Sequence, residues 1–98
     1  MTEHPRALEQ RLARNKQFQG LPDAAKVAVR IVNVVFDQAM GDAIGLDEIV
    51  TAITQGVDVN KHATVQSLVH HGIKFFAGRV KASGLQVDDL QARGRSFV

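Results

Sequence analysis

Residues 23–40 constrain this chain more than any other stretch. Ala24, Ala25, Val27, Ala28, Val29, Ile31, Val32, Val34, Val35, Phe36, Ala39 and Met40 leave one narrow polar line, made by Asp23, Lys26, Arg30, Asn33 and Asp37. Spaced by three and four, these five residues fall on one edge of a helix turning about 100° per residue, and apolar side chains cover most of the remaining circumference. Such a helix must be surrounded. In a chain of 98 residues, either the remaining segments wrap it or a second copy does. The sequence therefore predicts an all-α fold, a small bundle of about four helices completed by dimerisation.

The rest of the composition fits one globular domain spanning residues 1–98. Hydrophobic residues make up 45% and charged residues 22%, far from the composition of disordered chains, and the length suits a single modest core. With no cysteine there is no disulfide framework and no thiolate nucleophile or ligand, which points to a reducing cytoplasm. Met1-Thr2-Glu3-His4-Pro5-Arg6 has no apolar core of the kind a secretory signal needs. Arg30 and Asn33 interrupt the longest apolar region short of the roughly 20 residues a membrane span requires. The expectation is a soluble cytoplasmic protein with no membrane partner.

Charge is distributed unevenly. The net formal charge is +2, yet residues 21–60 carry Lys26 and Arg30 against Asp23, Asp37, Asp42, Asp47, Glu48 and Asp58, a balance of −4. Residues 61–98 carry Lys61, Lys74, Arg79, Lys81, Arg93 and Arg95 against Asp88 and Asp89, a balance of +4. Basic ends around an acidic middle suit either a nucleic-acid footprint or complementary surfaces that meet within the fold or between copies.

Punctuation along the chain divides it into segments. A basic first helix is expected within residues 1–20, starting near Pro5, with Leu8, Leu12 and Phe18 as its apolar contacts. Asp23 is the expected N-cap of the central helix 23–40, and Gly41 and Gly45 its end. A shorter helix should follow from Leu46, burying Ile49, Val50, Ala52 and Ile53 and stopping at Gly56. Asn60 is the expected cap of a long C-terminal helix, 61–83. Val65, Val69, Gly72, Phe76 and Val80 form its seam, read as a helix–helix interface in which Gly72 permits close approach of another backbone. Residues 85–98 should add one short capped turn and a tail.

Chemistry-bearing patterns are sparse. His62, His70 and His71 lack the i, i+4 spacing that puts two imidazoles on one metal. Asp47-Glu48 and Asp88-Asp89 sit at helix starts, where negative charge is favoured without any catalytic role. Gly41-Asp42-Ala43-Ile44-Gly45 lacks the Lys-Ser/Thr ending of a phosphate loop, and Ser67, Ser83 and Ser96 have no nucleophile elbow. These features predict a protein that is not an enzyme and uses no metal or cofactor. It would act by protein–protein association, as a homo-oligomeric adaptor or as an accessory or regulatory subunit.

The competing reading is a helix-turn-helix DNA-binding regulator, with residues 48–56 as the supporting helix and 60–71 as the reading helix. Its nucleic-acid contacts would be Lys61, Thr64, Gln66, Ser67, His70 and Lys74, with His62 beside them. His62, however, stands where an apolar support is expected, and Asp47, Glu48 and Asp58 bring negative charge near the phosphates.

Overall fold

The structure, a computed structural model, describes residues 5–61 and 63–98; His62 of the expected reading helix lies outside them. Among the described residues seven helices follow in order: α1 Pro5–Arg14, α2 Lys16–Gln19, α3 Asp23–Met40, α4 Leu46–Thr54, α5 Val65–Phe75, α6 Ala77–Ala82 and α7 Val87–Arg95. No strand occurs among the described residues.

The central helix has the bounds its pattern predicts, except that Pro22 occupies the N-cap and Asp23 the first turn. Proline at this position brings a backbone preset to the extended geometry of a cap, with φ −67° and ψ 161°, while Asp23 adds an acidic residue to the first turn, where negative charge is favoured. Ala25, Ala28, Val29, Val32, Val35 and Phe36 are buried almost completely. Helices α4, α5 and α7 all pack on α3. Burial of each valine- or leucine-sized side chain in this core contributes about 1.5–3 kcal/mol.

The polar line of α3 receives the N-terminal arm. Leu12 and Phe18 are buried plugs, and the Phe18 ring lies 5.7 Å from the Lys26 ammonium and 5.3 Å from the Arg30 guanidinium. Arg30 donates to both carboxylate oxygens of Glu9, at 2.9 and 2.8 Å. This pairing holds the Glu9 carboxyl below its usual range. Asn15 breaks the arm into α1 and α2: its side-chain oxygen accepts from the Phe18 amide at 2.8 Å, and its nitrogen donates to Asp47 at 2.7 Å.

Helix α4 buries Ile49, Val50, Ala52 and Ile53, the face its sequence predicts. Glu48 folds back to accept from the Gly45 amide at 3.0 Å, satisfying one of the amides that a helix start leaves open.

The expected helix 61–83 is instead two shorter ones. Asn60 is not its cap; the Thr64 hydroxyl accepts from the Ser67 amide at 3.0 Å, and the Ser67 hydroxyl accepts from the Thr64 amide at 3.1 Å. This reciprocal cap fixes the start of α5 at Val65. At the other end Phe76 leaves helical geometry, with φ −100° and ψ 20°. Its ring packs edge-on against Phe36 at 5.5 Å, so the break accompanies insertion of Phe76 into the core.

The seam of Val65, Val69, Gly72, Phe76 and Val80, expected as a helix–helix interface, packs within the chain itself. Val69, Phe76 and Val80 are buried and Val65 is half-buried. A Cβ on Gly72 would stand 2.7 Å from Cδ1 of Ile53 and 3.1 Å from Cγ2 of Val32. Gly72 therefore does permit close approach, but the neighbours are α4 and α3 of the same chain. The radius of gyration, 12.4 Å, matches the roughly 13 Å of a closed domain of about 100 residues.

The C-terminal segment also differs from the expected turn and tail. Helix α7 has nine residues and packs on α5 and α3. Its contact is close more than greasy: Leu90 and Gln91 are buried, and a Cβ on Gly94 would lie 2.8 Å from Val69 and 3.1 Å from Ile73. Gln91 donates its side-chain amide to the His70 carbonyl at 3.0 Å, tying the two helices by a part-buried hydrogen bond.

Candidate functional site

Close approach of α7 to α5 leaves a groove beside the contact. At one end lies a cleft of about 410 Å³, within the size range typical of ligand sites. Helix α5 and its cap contribute Thr64, Gln66, Ser67, Val69 and His70; the α7 side contributes Gln91, Gly94, Arg95 and Val98. The neighbouring cleft, about 470 Å³, shares His70 and Gln91 with the first and adds Lys74, Ala77, Lys81, Gln86, Val87 and Asp88. The two adjoin at these shared residues, where the Gln91 side chain donates to the His70 carbonyl.

Five of the six sequence-predicted nucleic-acid contacts, Thr64, Gln66, Ser67, His70 and Lys74, line this groove. Lys61 lines neither cleft; its ammonium stands 4.0 Å from Asp58, i, i+3 along an exposed turn. The hydroxyls of Thr64 and Ser67 are engaged in capping α5. The chemistry offered to a partner therefore comes from the amide of Gln66, the imidazole of His70 and the cations of Lys74, Lys81 and Arg95. All of these residues are exposed, and among the described residues no ion pair engages the three cations. Asp88 is the single carboxylate on the walls.

Sequence reasoning found the α5 wall, because Gln66, His70 and Lys74 succeed one another at i, i+4 intervals. It missed Lys81, Arg95, Gln91 and Gly94. A signal for the last two was present in the i, i+3 spacing of Gln91 and Gly94 beside Leu90, a small and narrow face suited to close packing.

A separate shallow cleft of about 340 Å³ lies beside α4, lined by Asp47, Glu48, Thr51, Phe75, Phe76 and Arg79. Two of its charges, Glu48 and Arg79, are paired with each other. Arg79 donates to both oxygens of Glu48, one at 3.1 Å, and its guanidinium lies 5.4 Å from the Phe76 ring centroid. The hydrogen bond from Arg79, joined by the Gly45 amide, lowers the Glu48 pKa to about 2. Phe75 is half exposed at the rim, edge-on to Phe76 at 5.2 Å.

The described residues differ from the expected helix-turn-helix in the length of the junction. Residues 55–64 separate α4 from α5, where that motif uses a turn of about three or four residues. His70 and His71 diverge: His70 is exposed in the groove, while His71 is half-buried with its ring tilted against Phe75 at 6.4 Å and its Nε2 without a hydrogen-bond partner among the described residues. Among those residues no group of three or more His, Asp or Glu could hold a metal ion, and no helix is long and apolar enough to cross a membrane.

No family model, curated protein or solved structure matches the chain.

Proposed function

We propose that this chain is a non-enzymatic association module, an accessory or regulatory subunit whose working face is the groove between α5–α6 and α7. One observation carries the reading. The groove collects Lys74, Lys81 and Arg95, which have no ion-pair partner among the described residues, around the apolar surface of Val69, Val87, Gly94 and Val98. Apolar walls with a few charged groups at the rim are the ordinary anatomy of a protein-binding surface, and unmatched cations steer a partner's approach. The paired charges at Glu9–Arg30 and Glu48–Arg79, by contrast, are internal links of the fold.

The partner proposed is a different protein. This choice is supported by the packing of the 65–80 seam and of the central helix within the chain, where Val69, Phe76 and Val80 and most apolar residues of α3 are buried. The DNA-binding reading drew on a tight helix pair, and the residues 55–64 between α4 and α5 do not supply it.

Selection of displayed random peptides tests the proposal. The intact protein serves as bait, and the double variant Lys74→Glu, Lys81→Glu is used for counter-selection. Both lysines are exposed, so the variant should keep the wild-type circular dichroism and melting behaviour. Enrichment of peptides retained by the wild type and released by the variant is the expected result. Recovery of no peptide that distinguishes the two proteins would defeat the proposal. Light scattering of the protein alone should give the mass of one chain.

A further inference from the structure

The two halves of the groove differ in chemistry, and this difference specifies an occupant. Around Gln66, Val69, Gly94 and Val98 the walls are apolar or neutral, with Arg95 as the one cation. Beyond His70 and Gln91 the walls carry Lys74 and Lys81 against Asp88. Gln66 and Lys74 stand on the same helix eight residues apart, which places the two halves about 12 Å from one another. Resting on the association reading above, we infer that the groove takes a peptide segment whose apolar anchor sits over Val69 and Gly94 and whose adjoining carboxylates face Lys74 and Lys81.

Charge complementarity selects acidic side chains for the second half, since an incoming cation would meet two ammonium groups and one carboxylate. Apolar burial selects the anchor, because Val69, Gly94 and Val98 supply the apolar surface of that half, and covering it with an apolar side chain removes that surface from water. A phosphodiester backbone lacks that anchor. The Gly94 contact matters to this selectivity. A side chain at that position would meet Val69 and lift α7 from α5, changing the width of the anchoring half without touching either lysine.

Fluorescence anisotropy with synthetic peptides tests the occupant on the full chain. The parent peptide carries a leucine pair followed by a run of glutamates; one companion replaces the glutamates by glutamines, and another replaces the leucines by serines. The parent should bind at least about tenfold more tightly than either companion, a difference of one decade in Kd. Its affinity should fall with added salt and drop about tenfold or more in the Lys74→Glu, Lys81→Glu protein. Val98→Ser should weaken the leucine-bearing peptides and leave the serine-bearing one unchanged.

Equal affinity for the glutamate and glutamine peptides would overturn the acidic occupant while leaving the groove as a binding face. Failure of all three peptides, with displayed peptides still showing groove-dependent binding, would do the same. Tighter, salt-sensitive binding of a duplex DNA competitor would overturn the inference in favour of a nucleic-acid occupant. Parent-peptide binding unaffected by the double charge reversal would overturn both the inference and the association reading on which it rests.

Discussion

Gly72 and Gly94 occupy matching situations in different parts of the molecule. Each stands on a helix at a point where a Cβ would come within 3 Å of a neighbouring side chain, Ile53 for Gly72 and Val69 for Gly94. Around Gly72 the surroundings are apolar and completely buried, with α3, α4 and α5 converging. Gly94 has Val69 and Ile73 on one side and the groove on the other. The same residue type thus performs two tasks. One glycine closes the core, and the other sets how near a groove wall approaches its opposite. Closeness between helices is a structural necessity in the first place and a determinant of shape in the second.

Substitution by leucine at Gly72 is the strongest way to break this comparison. With Ile53 and Val32 already in contact range, the added side chain should overpack the core and cost about 3 kcal/mol, seen as a lower urea midpoint with an unchanged slope. A wild-type midpoint would show that the core tolerates the insertion and that the two glycines are not distinguished by enclosure.

Gly94→Ala should have a smaller effect. Overpacking against Val69 opposes the gain in helix propensity of about 1 kcal/mol that alanine brings, leaving a net destabilisation of about 1 kcal/mol. The loss should be local. Amide exchange should accelerate in α7 while α3 keeps its protection; uniform acceleration along both helices would place Gly94 in the same cooperative unit as Gly72 and erase the contrast.

The smallest effect is expected from Glu48→Gln, which touches neither glycine. The folded-state pKa of Glu48 is lowered from 4.5 to about 2, so its ionised form stabilises the fold above about pH 4.5 and this contribution is lost as pH falls toward 2. Acid titration of stability should therefore be shallower in the variant between those limits, with the two proteins converging at the acid end. Glu9, lowered by its hydrogen bond from Arg30, should leave a residual slope in both. Parallel curves over the whole range would remove the Glu48–Arg79 link as a source of pH dependence.

Much of α3 and α4 was legible in the sequence because burial there follows hydrophobicity: a three-and-four pattern fixes the face, and Gly41 marks the end. Legibility failed where burial follows shape or sequence-distant contacts. Phe76 interrupts a helix although neither of its immediate neighbours is glycine or proline, and the apolar pattern runs through the break because Val80 continues the seam on the far side. Helix α7 looked too polar to be part of a core, since its burial rests on one leucine, a hydrogen-bonded glutamine and a glycine. For the groove, the α5 wall could be read as one helix face, whereas Lys81, Gln91 and Arg95 enter from other elements and share no spacing with it.

The break at Phe76 also bears on how such a surface can change over generations. In an unbroken helix, Lys74 and Lys81 would be locked in phase by the helical repeat, and neither could be reoriented without the other. With α6 a separate segment joined through Phe76, its orientation is set by that ring's seat on Phe36. Substitutions in α6 can reposition the Lys81 end while α5 stays in register with the core, giving this surface a separately adjustable part within a fixed frame.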